Sequence, residues 1–172
     1  MTKGVHELKL VHSMNQLATK LNEELLGYQT QRLQELIAEI LKCCEDRKLY
    51  ETGKFGLPYA ELRCLLLFEG ERYLTVKGIA QKLDVAKSRV TAIVNGLRNK
   101  GLVEQVDDPH DARIKLISMT PAGKEKAQEI TVFQRGLHRQ ILLQLDADER
   151  KGLFTYLELL RTAMEVVKEQ LV

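Results

Sequence analysis
One stretch, residues 75–123, leaves this chain few folds to choose from. Val76, Ile79, Ala80 and Leu83 recur at three- and four-residue spacing, the period of a helix face, and Thr75 before them is a helix-capping residue type. Residues 84–86 fit a short turn. Over residues 87–99 the period resumes. Val90, Ile93, Val94 and Leu97 share one face; Lys87, Ser88, Thr91, Ala92, Asn95 and Arg98 share the other, with Arg89 at the border. Gly101 follows as a C-terminal stop. Residues 102–106 read as a strand and 107–112 as a turn. Residues 113–119 read as a second strand, with Ile114, Leu116 and Ile117 apolar and Lys115 and Ser118 between them. Thr120-Pro121 opens another helix, Thr as N-cap and Pro at the first helical position. Two short helices, a tight turn and an extended, charged hairpin make a winged helix-turn-helix, a device for placing one helix in a DNA groove.

The net charge of +2 says little until it is divided along the chain. Residues 77–101 hold six cations (Lys77, Lys82, Lys87, Arg89, Arg98, Lys100) against Asp84 alone, a net +5. No other segment is net positive: residues 1–50 and 121–172 balance at 0, residues 51–76 carry −1 and residues 102–120 carry −2. The cations therefore gather on the helix-turn-helix, as a phosphate-binding surface requires. A merely solvated, Lys-rich helix face is the plainer alternative.

On either side of this unit the pattern is helical. Leu10, Met14, Leu17, Leu21 and Leu25 form one stripe, with a break expected near Gly27. Residues 30–49 continue with Leu33, Leu36, Ile37, Ile40, Leu41 and Cys44, a face wide enough to pack against more than one partner. Residues 51–57 hold Gly53 and Gly56 and read as a loop. Pro58 starts a helix to about residue 68, with Tyr59, Leu62, Leu65 and Leu66 as its core face and Cys64 and Phe68 close by. Residues 69–71 form a turn, and Tyr73-Leu74 adds a short third strand beside the wing. After the wing, Ala127, Ile130, Phe133, Leu137, Ile141 and Leu142 recur through a helix over residues 121–145. Asp146, with Glu149 three residues on, makes a capping box for a last helix carrying Leu153, Tyr156, Leu157, Leu160, Met164 and Val167.

The expected fold is mainly α with a small β-wing: a winged helix-turn-helix with N- and C-terminal dimerisation helices. Its expected domains are N-terminal helices at 1–56, the DNA-binding domain at 57–120 and C-terminal helices at 121–172. The winged unit is too small to cover the apolar faces of the terminal helices. Intertwining them with a second copy buries those faces at about 25 cal/mol per Å² and sets two recognition helices about 34 Å apart, one turn of DNA. A monomer that folds its own termini over the core is the alternative.

Other classes are poorly served. There is no Gly-rich phosphate loop, no nucleophile-base spacing and no metal cluster, so neither an enzyme, a cofactor nor a metal is expected. His6, His12, His110 and His138 are scattered, and turn geometry accounts for Asp107, Asp108 and Asp111. No run of about 18 apolar residues exists to span a membrane. The start, MTKGVHELKL, lacks the apolar core of a secretory signal. Three cysteines suit a reducing cytoplasm. Cys64 sits among leucines, and Cys43-Cys44 lies towards a helix C-terminus, which disfavours a thiolate; all three read as packing residues.

The runs LTVKGIAQKL, SRVTAIVNGLRNKGLV and DPHDARIKLISMTPAG resemble the MarR family of bacterial transcription regulators over roughly residues 57–123. The specific part is the wing signature, Asp111-x-Arg113 followed by Thr120-x-x-Gly123. The resemblance implies a homodimer on palindromic double-stranded DNA, acting as a repressor that a small-molecule effector or oxidation releases. A ligand between the dimerisation region and the winged lobes would alter lobe spacing, by no more than its preference for one spacing allows. The family usually begins near the second helix, so the first is an extension.

Lys87, Ser88 and Arg89 lie at the first turn of the recognition helix, where side chains and the helix N-terminus reach bases and phosphates. Arg89 is the candidate base reader; Thr91, Asn95 and Arg98 fit backbone contacts. Ala92 stands where many family members carry Arg, and suits a thymine methyl. By the resemblance, Arg113 enters the minor groove, oriented by Asp111, while Ala112 replaces a common second cation. With Thr75, these residues are the candidate DNA-binding set. A winged-helix module that binds protein instead of DNA is the competing function, and the +5 segment argues against it.

Overall fold
The computed structural model describes residues 3–107 and 115–171, without the side chains of residues 3–15, 17 and 18. The chain divides into two compact units, residues 1–56 and 57–172.

The first unit is one helix, α1 (Lys3–Phe55), about 80 Å long at 1.5 Å per residue. The expected break near Gly27 does not occur. Glycine in a helix interior costs only about 1 kcal/mol. No proline precedes Pro58 to remove a helix hydrogen bond. The Thr30 hydroxyl, which donates to Leu26 O at 2.8 Å, sits astride the glycine. The expected loop at 51–57 is also shorter than its glycines suggested. Gly53 stays helical, and the helix ends at Gly56, which takes φ +63°, the left-handed stop that glycine adopts freely. Leu21, Leu25, Leu33, Ile40 and Leu41 are all exposed.

The second unit is built around α2 (Tyr59–Leu66), β1 (Leu74–Thr75), α3 (Val76–Leu83), α4 (Lys87–Asn99), β2 (Val103–Asp107), β3 (Lys115–Met119), α5 (Pro121–Leu143) and α6 (Ala147–Gln170). The strands form an antiparallel sheet in the order β1-β3-β2. Val103 pairs with Met119 and Asp107 with Lys115, while Leu74 pairs with Ile117. The third strand expected at Tyr73-Leu74 is thus present one residue later. Asp107, assigned to a turn by its sequence, extends β2 and forms an ion pair with Lys115. The remainder of that turn, with Arg113 and Ile114, lies outside the described residues.

The core draws on every element of this unit up to α5: Leu62, Cys64, Leu65 and Phe68 from α2 and its end, Ile79 and Leu83, Val90, Ile93, Val94 and Leu97, Leu102, Val103, Ile117 and Ile130. Tyr59 and Leu66, expected beside them, are half-buried. Helix α6 starts at the capping box read from the sequence: Asp146 Oδ1 accepts from the N–H groups of Asp148 and Glu149, and Glu149 Oε2 accepts from Asp146 N–H. Yet α6 buries none of its described side chains. Tyr156 and Leu157 are exposed on it, as is Ile141 on α5. No helix among the described residues is long and apolar enough to cross a membrane.

Candidate nucleic-acid interface
Helix α3 is capped as its sequence requires. Thr75 Oγ1 accepts from Gly78 N–H at 3.0 Å. Its hydroxyl oxygen is thus partly engaged by its own helix, while its O–H remains able to donate to a ligand. The helix closes at Asp84, whose φ of +55° is left-handed, a region that Asp tolerates better than most residues. This turn swings the chain into α4. Ala86 begins α4 and has no side chain able to cap it. Arg89 N–H already donates to Ala86 O at 3.0 Å, so the anion-binding capacity of this end rests on the N–H groups ahead of it and on the positive end of the helix dipole.

The two faces of α4 are cleanly separated. Val90, Ile93, Val94 and Leu97 are buried, and Lys87, Ser88, Arg89, Thr91, Ala92, Asn95 and Arg98 are exposed. The Thr91 hydroxyl donates to Lys87 O at 3.1 Å, leaving its methyl and lone pairs outward. The cations are less uniform than their number implies. Lys82 pairs with Glu71 at 3.1 Å and Lys100 with Glu61 at 2.9 Å. Lys77, Lys87, Arg89 and Arg98 have no carboxylate partner among the described residues. Lys77 counts in the +5 segment but is not in the candidate DNA-binding set. It shares a recess with Asp84 and Lys87 at the α3–α4 turn, a juxtaposition that spacing along two helices does not reveal. Asp111 and Arg113 lie outside the described residues.

The C-terminal end of α4 is clamped. Gly101 takes φ +69°, and its carbonyl accepts from the Thr120 hydroxyl at 2.7 Å. That hydroxyl oxygen also accepts from Gly123 N–H at 3.0 Å, and Thr120 N–H donates to Leu102 O at 3.1 Å. A Cβ at Gly123 would overlap Leu102 O and lie 2.9 Å from its carbonyl carbon. The Thr-x-x-Gly element therefore ties three segments together: the end of α4, the start of β2 and the first turn of α5.

Residues 55–114 match the model of the MarR family. The chain is 23% identical over 155 residues to the uncharacterized HTH-type transcriptional regulator YfiV of Bacillus subtilis, covering 88% of this chain and 95% of that one. It is 29% identical over 126 residues to the HTH-type transcriptional regulator PrsX of Escherichia coli, covering 72% and 76%. A mutant of MepR from S. aureus superposes with a TM-score of 0.70 at 19% identity, over 76% of this chain and 97% of that one. The winged segment of this chain is thus similar to the MarR family, and its fold is that of solved MarR and MepR structures. The curated relatives it matches carry the names of HTH-type transcriptional regulators. Another MepR mutant was solved bound to an oligodeoxyribonucleotide; it superposes with a TM-score of 0.58 at 19% identity, over 76% of this chain and 96% of its own.

The cysteines do not sit alike. Cys64 is fully buried, and its thiol is pushed from an ordinary 9.0 up to about 12, first by burial and then by the charge of Glu61. Cys43 is exposed and Cys44 half-buried, both inside α1 and far from its end at Phe55, so packing near a C-terminus does not describe them. Only the neutral Cys64 thiol suits the folded chain. Above pH 9 the unfolded chain releases this proton while the folded chain holds it. The contribution of Cys64 to stability should thus be complete below pH 9 and decline towards pH 12. Alkylation of the folded protein at pH 8 should leave Cys64 unmodified until denaturant is added. Early labelling of Cys64 in a peptide map would contradict its burial.

Proposed function
We propose that this chain is a cytoplasmic homodimeric repressor that reads a palindromic operator. In each subunit Lys87, Ser88, Arg89, Thr91, Ala92, Asn95 and Arg98 would enter the major groove, with Thr75 beside them. Asp111 and Arg113 would enter the flanking minor groove. The observation that carries this reading is the exposed polar face of α4, which presents Lys87, Arg89 and Arg98 without carboxylate partners among the described residues. The oligonucleotide-bound MepR mutant supports it by likeness of fold. Residues 57–120 would be the DNA-binding domain, and residues 1–56 and 121–172 the dimerisation helices.

Exposed apolar surface supports dimerisation. Leu25, Leu33 and Ile40 on α1, and Phe154, Leu157 and Met164 on α6, are open to water in a single chain. Each such side chain contributes about 1.5–3 kcal/mol when fully buried. A small-molecule effector would act by preferring one spacing of the two winged lobes.

Selection of bound duplexes from a random pool tests the operator. The expected product is an inverted repeat whose half-sites lie about one helical turn apart. Enrichment of a lone half-site, or of no sequence, would overturn the dimeric operator reading; binding to no duplex would favour a protein-binding module.

A further inference from the structure
We propose that Glu61 is a positioning residue that holds the recognition helix in its reading orientation. The inference rests on the DNA-binding reading above. Helix α2 meets α4 at Gly96, and a Cβ there would overlap Glu61 Oε1 and lie 3.0 Å from the carboxyl carbon. A carboxylate therefore occupies the space a side chain of α4 would fill. Its second oxygen, Oε2, accepts from Lys100 Nζ at 2.9 Å. Glu61 is only 8% exposed.

Gly96 lies in the last turn of α4 and Lys100 caps its C-terminal end, so one carboxylate engages both the last turn and the cap. Contact at Gly96 sets how closely the helices approach, and the bond to Lys100 sets rotation about the α4 axis. Residues seven apart on a helix lie within about 20° of one another, so Arg89 stands on the same flank as Gly96. Farther along this flank Arg89 and Ile93 line a recess with Pro58, Tyr59 and Arg63 of the α2 segment. Rotation of α4 there would carry the guanidinium off its base edge. Glu61 is buried but Lys100 is half-exposed, and such a pair adds little stability. Its value here is directional: a carboxylate accepts along fixed lone-pair directions, and an apolar side chain does not.

The test compares wild type with Gly96→Ala, Glu61→Ala, Glu61→Gln and the double Gly96→Ala/Glu61→Ala. Each is titrated onto the selected duplex and onto a scrambled one. The new methyl of Gly96→Ala must expel the carboxylate, a movable side-chain end, while alanine favours helix, so this variant should fold. Each alanine variant should lose about tenfold in preference for the selected duplex, the scale of one misplaced bidentate contact. Affinity for the scrambled duplex should change little in Gly96→Ala, where no charge is altered. Glu61→Gln, which retains the shape but weakens the hold on Lys100, should lose less than Glu61→Ala. The double variant should lose no more than either single one, because both changes remove the same contact. Singles that match wild type, or losses that multiply in the double, would overturn the inference. If wild type itself binds no duplex, the DNA reading fails and this inference with it; if wild type binds and the variants bind alike, only this inference fails.

Discussion

Replacing Gly123 with alanine is expected to destabilise the fold by about 2–3 kcal/mol, although alanine is the better helix former. Gly123 lies in the first turn of α5, where propensity alone favours alanine by about 1 kcal/mol. The added Cβ would overlap Leu102 O, a backbone atom that no rotamer change can move aside. Either α5 lifts away or the start of β2 shifts. Overpacking of this kind costs about 1–3 kcal/mol. The displacement also strains the bonds from Thr120 N–H to Leu102 O and from the Thr120 hydroxyl to Gly101 O, worth about 1 kcal/mol each. Gly136, farther along α5, is the internal control. A Cβ there meets nothing within 4 Å, so Gly136→Ala should stabilise by about 0.5–1 kcal/mol. Urea denaturation at one protein concentration reads both, since stability coupled to association depends on concentration. Equal effects of the two substitutions would contradict the close approach at Gly123.

Arg89→Ala should weaken binding to the selected operator by about 10- to 100-fold, the worth of one bidentate base contact. The loss should be much smaller on scrambled duplex, because a base reader contributes mainly to the correct sequence. Arg98→Ala makes the contrast. As a phosphate contact it should weaken both duplexes alike and reduce the slope of log affinity against log salt by about 0.9. If Arg89→Ala behaves as Arg98→Ala is expected to, then Arg89 holds a phosphate, and base reading falls to other residues of the α4 face.

What could be read from the chain alone was what local rules govern. Apolar period and polar complement placed Val90, Ile93, Val94 and Leu97 inward and the candidate contacts outward, and the structure separates them in the same way. The caps at Thr75, Thr120 and Asp146 were legible because each is a short motif acting within one turn. Gly27 misled because a single glycine is a weak breaker when neighbouring turns are sound. Gly53 and Gly56 look alike in sequence, yet only Gly56 adopts a positive φ. Glu61 was invisible: its partner Lys100 is 39 residues away, and no periodicity marks a carboxylate meant to lie over a glycine. The +5 count had the same limit, since it could not show that Lys82 and Lys100 are already paired. The terminal helices were readable as amphipathic, but a single chain leaves much of that surface exposed.

The most direct test of the central claim is fluorescence anisotropy of a labelled duplex from the region upstream of the protein's own gene, titrated at several salt concentrations with wild type, Arg89→Ala and Arg113→Ala. The account predicts tight wild-type binding that falls steeply and log-linearly with salt, and loss of operator preference in both variants. Weak, salt-insensitive binding, or variants indistinguishable from wild type, would contradict a DNA-reading role for α4 and the wing.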